Sequence, residues 1–181
     1  MSEKYIKTDK KILDVCCGGK MFYFNKNTPQ VLFCDIRNFE TVLCDGRKFC
    51  VHPDIVADFT NLPFEDNAFD IVVFDPPHLI SNKGQSSKGK YVTLYGCLNS
   101  KTNVPGFQKT KYGCLAKNWR EILTQGFAEC FRVLKAGGVL VFKWSEIEVP
   151  VSEILKLTPH GPLLGNRCGK SSKTHWIIFV K

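Results

Sequence analysis

The chain has 181 residues, enough for one domain with a substantial hydrophobic core, and it carries a formal net charge of +8. No apolar run reaches the roughly 18 residues that a transmembrane helix needs. The first fifteen residues are charged and polar, so we expect neither a signal peptide nor a membrane anchor there. Length, charge and hydropathy therefore favour a cytoplasmic protein that does not span a membrane.

The nine cysteines show neither a Cys-x-x-Cys pair nor the histidine spacing of a zinc site. Most of them lie in apolar segments, as Cys34, Cys44 and Cys130 do. We interpret them as reduced core residues, consistent with a cytoplasmic location, and we expect no metal site.

The first predicted strand, residues 11–15, is followed at once by a turn of small residues, Cys16, Cys17, Gly18 and Gly19. Such residues let the backbone turn tightly and approach a ligand closely. The next apolar run, residues 31–34, ends in Asp35. In Rossmann-like sheets an acidic residue at this place accepts hydrogen bonds from ribose hydroxyls. The two segments together predict a nucleoside-binding site.

A third apolar run, residues 54–57, ends in Asp58, whose carboxylate could reach an adenine amine. Asp35 and Asp58 could instead each be the N-cap of a helix. Between the second and third runs, residues 41–51 contain an Asp-Gly turn flanked by apolar residues, which predicts a β-hairpin.

The apolar run of residues 69–74 ends in Asp75-Pro76-Pro77-His78. Proline has no N–H to donate, and the first proline restricts Asp75 to extended conformations. The result is a stiff turn at the sheet edge that holds the Asp75 carboxylate beside the Pro76 carbonyl. Two neighbouring acceptors suit an exocyclic amine and would aim its lone pair at an electrophile, which predicts amine methylation. The alternative is an ordinary turn after a buried strand.

Residues 76–120 contain eight Lys and Arg and no Asp or Glu. Aromatic residues are interleaved with the lysines: Tyr91, Tyr95, Phe107 and Tyr112. A basic segment beside the predicted amine site suits nucleic acid, on whose unpaired bases the aromatic rings could stack. We therefore predict a basic, flexible insertion at about residues 79–113, with these candidate substrate-binding residues: Lys83, Lys88, Lys90, Tyr91, Lys109 and Lys111. The alternative is a solvated loop whose aromatic residues pack on the domain.

The C-terminal half alternates between helix and strand. Apolar spacing predicts a helix over residues 115–134 that the glycines at 137 and 138 end. A buried strand at 139–142 and a short helix at 152–157 follow. Residues 162–164 and 175–180 are predicted to pair as antiparallel strands, joined by a basic turn at 166–173.

The segments ILDVCCGG, VLFCD, VADFTNLPFEDNAFD and IVVFDPPH together resemble the class I S-adenosylmethionine-dependent methyltransferases. Within that class, Asp-Pro-Pro resembles the amino-methyltransferases that act on adenine N6 and related amines of DNA or RNA. The resemblance covers about residues 10–145 by motif. It implies one α/β domain over residues 1–181, a Rossmann-like three-layer sandwich whose mostly parallel, seven-stranded sheet has a C-terminal antiparallel strand.

The resemblance also implies roles for individual residues. The cofactor S-adenosylmethionine would be bound by Asp14, Cys16, Gly18, Gly19, Asp35, Ile36, Asp58 and Phe59, with Leu62 as an alternative to Phe59 beneath the adenine. The target amine would be oriented by Asp75, Pro76 and Pro77, and the target base would stack on His78. The chain departs from the family pattern at Cys16 and Lys20, where further glycines are usual, and at His78, where Tyr, Phe or Trp is usual.

Other functions stay open at this point. Cytosine carbon-5 methylation needs a nucleophilic cysteine, usually after proline, and no proline here precedes a cysteine. A protein glutamine methyltransferase, a small-molecule N-methyltransferase and a catalytically silent nucleic-acid-binding subunit remain alternatives. Because few residues are available to read a nucleic-acid sequence, either the sequence is read weakly, or a homodimer, a partner subunit or a structured RNA supplies specificity.

Overall fold

The computed structural model describes residues 5–43, 45–80, 111, 113–168 and 172–181. Within these ranges the strands are β1 (Ile12–Asp14), β2 (Val31–Asp35), β3 (Phe39–Val42), β4 (Lys48–Val51), β5 (Ile55–Val56), β6 (Phe69–Phe74), β7 (Leu134–Ser145), β8 (Leu164–Arg167) and β9 (Thr174–Val180). The helices are α1 (Trp119–Val133) and α2 (Val151–Ile154), and a 3-10 turn, Leu155–Leu157, follows α2.

The main sheet has seven strands in the order β5-β2-β1-β6-β7-β9-β8. The pairs from β5 through β7 are parallel, and β9 is antiparallel to both of its neighbours. Strand β2 is buried along its whole length and β1 nearly so, as expected for the centre of a parallel sheet. The fold is Rossmann-like. The predicted α/β class, with a mostly parallel seven-stranded sheet and a C-terminal antiparallel strand, is confirmed.

The core lies between the sheet and helix α1, whose apolar residues recur at helical spacing. The ring of Phe127 contacts those of Phe74 and Phe142, with centroids 5.3 and 4.9 Å apart. The ring of Phe59 packs edge-on against Phe74 and lies where a side chain on Gly126 would otherwise project. Gly126 is therefore a point of close approach between helix and core.

The end of helix α1 differs from the prediction. The helix ends at Val133, and Leu134 is already extended, at φ −77° and ψ 135°, as the first residue of β7. Leu134 is completely buried and pairs with Phe69, so its packing pulls the chain out of the helix before the glycines. The predicted glycine C-cap is wrong. Gly137 and Gly138 lie instead in a register irregularity of the β6–β7 pair.

Two predicted antiparallel pairs are present. Strands β3 and β4 form the expected hairpin around the turn at Gly46, whose φ of +81° favours glycine. Strands β8 and β9 pair as expected, although β8 begins at Leu164 rather than at residue 162. The predicted insertion at 79–113 lies almost entirely outside the described residues.

The cysteines divide into two groups. Free thiols are found at Cys16, Cys17, Cys34, Cys50, Cys130 and Cys168. Cys114 is disulfide-bonded, so the prediction of reduced cysteines does not hold at that position. Cys50 and Cys168 are exposed rather than part of the core, and Cys44 lies outside the described residues.

Two kinds of feature are absent from the described residues. No helix there is long and apolar enough to cross a bilayer. No group of three or more His, Cys, Asp or Glu in those ranges is placed to hold a metal ion.

We predict that Gly126→Ala destabilises the protein by about 1–3 kcal/mol, because overpacking forces a well-packed core to shift. A Cβ at this position would lie 2.6 Å from Phe59 Cδ2 and 3.0 Å from Phe74 Cζ. Urea unfolding measures the change. Gly161→Ala is the matched control, since a Cβ there meets nothing within 4 Å. Equal stability of the two variants would contradict the packing described for Phe59.

Candidate active site

A cleft of about 250 Å³ opens at the carboxyl edge of the sheet, where the ends of β1, β6 and β7 meet. Its lining comes from the glycine turn, the loop after it, the end of β6, one aromatic ring of the hairpin and three cationic side chains: Cys16, Cys17, Gly18, Gly19, Met21, Phe22, Asp75, Pro76, His78, Phe49, Arg37, Lys111 and Lys143. The structure thus brings the predicted glycine turn and the predicted amine site into one cleft.

Two buried carboxylates shape the glycine turn from behind. The Cys16 N–H donates to Asp14 Oδ1 at 3.1 Å, and the Gly18 N–H donates to Asp35 Oδ2 at 2.9 Å. Gly18 has a φ of +49°, which lets the turn present both amides to these acids. Lys20, where the family usually has glycine, also has a positive φ, of 55°, and its Nζ lies 4.2 Å from the centroid of the Phe33 ring.

Asp14 lies beneath the turn and is 1% exposed. Its second oxygen accepts a hydrogen bond from the Tyr23 hydroxyl at 3.0 Å. Burial raises the pKa of Asp14 to about 7, and the nearby Asp75 and Asp35 carboxylates add to the rise. Asp14 therefore holds the turn in shape from inside the protein and does not itself line the cleft.

Asp35 accepts four hydrogen bonds, which fill the lone-pair positions that a carboxylate offers. Besides the Gly18 amide, the donors are the Arg37 N–H at 2.9 Å, Arg37 Nε at 3.0 Å and Arg37 Nη2 at 3.1 Å. The guanidinium also lines the cleft, and its Nη1 lies 3.5 Å from the Lys111 carbonyl oxygen. Ribose hydroxyls can reach Asp35 only if Arg37 withdraws.

Sequence reasoning missed Arg37. The available signal was its spacing, two residues after an acid at a strand end. The same Asp-x-Arg spacing recurs at Asp45 and Arg47, where the arginine again bonds the acid through both its backbone N–H and its Nε.

The Asp75 carboxylate lines the cleft and forms an ion pair with the ammonium of Lys143. Lys143 Nζ lies 3.2 Å from Asp75 Oδ1 and 3.0 Å from Oδ2. Burial raises the pKa of Asp75, while the charge of Lys143 and its hydrogen bonds act to lower it. Lys143 was also missed by sequence reasoning. Phe74 pairs with Phe142 in the parallel strands β6 and β7, so Asp75 and Lys143, the next residue of each, lie side by side. Parallel pairing of the two predicted strands was the signal that could have found Lys143.

His78 lies at the edge of the cleft but is only 9% exposed. Burial, with a contribution from Lys143, lowers the pKa of His78 to about 4, so the imidazole is neutral near pH 7. Its neighbour Pro77 is not part of the lining and lies against Gly113, where an added Cβ would come within 3.3 Å of Pro77 Cγ.

Five predicted cofactor residues lie outside the lining of this cleft: Asp14 and Asp35, which support the glycine turn from behind, and Ile36, Asp58 and Phe59. Ile36 is exposed at the surface. Asp58 accepts hydrogen bonds from the Thr60 N–H and Oγ1 at 2.8 and 2.7 Å. Phe59 is buried in the core, as is the alternative Leu62. Among the predicted substrate-binding residues, Lys111 lines the cleft, whereas Lys83, Lys88, Lys90, Tyr91 and Lys109 fall outside the described residues.

Comparison with solved structures supports the fold. The crystal structure of the PH0226 protein from Pyrococcus horikoshii OT3 is similar to this chain with a TM-score of 0.56 and 15% sequence identity. The match covers 98% of this chain and 84% of that one. At this identity the likeness shows the fold alone. No protein-family model and no curated protein matches the chain.

We predict that Arg37→Leu lowers the free energy of unfolding by about 3 kcal/mol, because it leaves the charge of a buried carboxylate without its partner. Asp35 is 3% exposed and keeps only its backbone donors in this variant. Chemical denaturation measures the change. Arg47→Leu is the matched control, since it removes the same Asp-x-Arg pair at a solvent-exposed site and should have a much smaller effect. Equal effects would show that burial of the Asp35–Arg37 pair is unimportant.

Proposed function

We propose that the protein is an S-adenosylmethionine-dependent N-methyltransferase that acts on an exocyclic amine of a nucleobase, with adenine N6 of DNA or RNA as the leading substrate. The observation that carries the proposal is the position of Asp75. Its carboxylate lines the same cleft as the glycine turn, and both of its oxygens already accept hydrogen bonds from a nitrogen, the ammonium of Lys143.

The sheet explains why a methyl donor and an amine would meet in this cleft. Strands β1 and β6 are parallel neighbours, with Asp14 paired with Val73, and the Val15 N–H donates to the Val73 carbonyl at 3.1 Å. The glycine turn and Asp75 therefore leave the sheet side by side. Fixing two reactants next to each other supplies a large part of catalysis when the donor is already activated.

The lining fits the amino-acid end of S-adenosylmethionine, which would bring its methyl group on a sulfonium. The cations Lys111 and Lys143 suit the cofactor's carboxylate. The nucleoside end of S-adenosylmethionine fits only when the Arg37 guanidinium moves away from the Asp35 carboxylate. The cleft of about 250 Å³ is also smaller than typical ligand pockets of about 300–1,000 Å³, and withdrawal of the guanidinium would enlarge it.

In the proposed reaction, Asp75 binds and activates a weak nucleophile. An exocyclic amine is a poor nucleophile because its lone pair is conjugated with the ring. Lys143 occupies two of the roughly four acceptor positions of the Asp75 carboxylate, which leaves room for a substrate N–H. A second N–H would bond the Pro76 carbonyl. These bonds would strengthen by about 2–4 kcal/mol each as the methyl–sulfur bond breaks, the sulfonium leaves as a neutral thioether, and the new N–C bond puts positive charge on nitrogen. The proton that nitrogen then loses passes to Asp75.

Charge supports nucleic acid as the substrate class. Among the described residues, Arg37, Lys111 and Lys143 line the cleft; Arg37 and Lys143 are ion-paired with Asp35 and Asp75, and the whole chain carries +8. A cationic cleft raises the local concentration of a polyanion and speeds its association.

Transfer of tritiated methyl groups from S-adenosylmethionine to DNA, rRNA, tRNA and protein pools, followed by nucleoside identification, tests the proposal. We expect label in a methylated amino group of a nucleobase. Asp75→Asn should lower the rate by about a hundredfold or more, the loss typical of one transition-state hydrogen bond. Cofactor affinity, measured by calorimetry, should stay close to wild type.

The matched control is Asp70→Asn. Asp70 and Lys135 form an ion pair between the same two strands at their opposite end, away from the cleft. This variant should transfer methyl groups at the wild-type rate. Label found only in protein, or an Asp75→Asn variant as active as Asp70→Asn, would overturn the proposal.

We also predict that Lys143→Met moves the acidic limb of the pH–rate profile to higher pH. Burial raises the pKa of Asp75, and Lys143 counteracts this rise. Without the lysine the pKa rises further, so Asp75 loses its charge, and with it the ability to accept the amine, at a higher pH. Lys143→Arg keeps the positive charge and should leave the limb near its original position. Identical profiles for the two variants would contradict this role of Lys143.

A further inference from the structure

We propose that the loop directly after the glycine turn, residues 20–26, is a stacking platform for single-stranded nucleic acid. The target base lies against Phe22, and an adjacent base lies on Phe24. The inference rests on the proposed function and adds to it the surface that receives the substrate. It replaces the imidazole of His78 as the main stacking partner, because that side chain is only 9% exposed.

The loop displays apolar side chains to solvent beside the cleft. Phe24 is fully exposed and Met21 is 66% exposed, and only two residues separate them in the chain. Scattered single exposed apolar residues are ordinary, whereas two large ones three residues apart in a loop that lines a cleft indicate a binding surface. Met21 also lines the cleft itself.

Between these two residues the loop is anchored. Tyr23 donates its hydroxyl proton to Asp14 and packs edge-on against Phe33, with ring centroids 4.8 Å apart. Phe22 packs edge-on against Trp176, also at 4.8 Å. Inward anchors at Phe22 and Tyr23 thus leave Met21 and Phe24 facing outward on a held backbone. A surface fixed before binding loses less entropy when the substrate arrives.

Phe22 connects the platform to the predicted reaction. Lys143 Nζ, which binds Asp75, lies 4.8 Å from the centroid of the Phe22 ring. The Phe22 ring therefore lies close to the carboxylate that would accept the exocyclic amine, and a base that stacks on this face of the ring displaces the Lys143 ammonium from it.

The chemistry of the surroundings favours bases over a peptide. Base–aromatic stacking tolerates any sequence and works together with cations that follow the phosphates. The cleft supplies such cations in Arg37, Lys111 and Lys143, and Lys26 extends from the exposed side of the loop. A base paired within a duplex cannot lie on such a platform without leaving its stack, so the single strand is the form that binds.

Fluorescence anisotropy with labelled single-stranded oligo(dA) and oligo(A) tests the platform without requiring catalysis. We expect Phe24→Ser to weaken binding by about five- to hundredfold, the range that one base–aromatic stack represents. Phe24→Tyr keeps the ring and should bind like wild type. Leu163→Ser is the matched control, because Leu163 is also an exposed apolar residue, at 66%, but lies beside the edge strand β8 and outside the loop of residues 20–26.

The outcomes separate this inference from the proposed function. Equal affinities of wild type and Phe24→Ser would overturn the platform, whatever the enzymatic activity. Binding that depends on Phe24 in a protein that transfers no methyl group would uphold the platform and overturn the proposed function. Failure of the wild type to bind either oligonucleotide at low salt would overturn the platform, and methyl transfer to protein would then identify a different class of substrate.

Discussion

Three carboxylates stand at the ends of three adjacent parallel strands, and the site depends on how their charges are balanced. Asp14 and Asp35 are the last residues of β1 and β2, and Asp75 comes directly after β6. These three strands are neighbours in the sheet. Burial raises the pKa of Asp14, and the neighbouring Asp75 and Asp35 carboxylates add to the rise. Each acid is stabilised differently. Asp14 takes up a proton near neutral pH, Asp35 pairs with Arg37, and Asp75 pairs with Lys143.

These pairings have consequences for what can bind. The charges of a buried ion pair have lost their hydration, so the pair is only weakly stabilising overall. A ligand that supplies new hydrogen bonds can therefore replace one of the partners. The Arg37–Asp35 pair occupies the acid that would hold a ribose. The Lys143–Asp75 pair occupies only part of the acid that would hold an amine. Cofactor binding would therefore exchange one set of donors on Asp35 for another, whereas substrate binding would add donors to Asp75.

Much of the fold followed from apolar runs and their ends. Parallel strands bring their carboxyl ends to one edge, so a glycine turn and an Asp-Pro-Pro turn on neighbouring strands had to meet. The helix end could not be predicted in this way, because burial of Leu134 against the sheet outweighs the local preference of the glycines at 137 and 138. Local signals are weak when a tertiary contact competes with them.

The site was less predictable than the fold. The glycine turn, Asp75, Pro76 and His78 line the cleft as the motifs indicated, but their ionic partners were not part of any motif. Arg37 folds back on an acid two residues away, and Lys143 reaches its partner across a strand pair. Phe59, which the resemblance placed beneath an adenine, is a core residue because Gly126 leaves room for its ring. A side chain's use depends on space and charge that only the packed structure shows.

The Asp75–Lys143 pair also bears on which amines the cleft could accept. A lysine or alkylamine substrate would bring a second ammonium beside Lys143. Two such charges about 4 Å apart repel each other by about 4 kcal/mol at the effective dielectric near a protein surface. The exocyclic amine of a nucleobase is neutral and avoids this cost, as does an amide. Between those two, the exposed aromatic and apolar side chains of the adjacent loop favour the flat base. The lysine that balances Asp75 would thus also exclude charged amines.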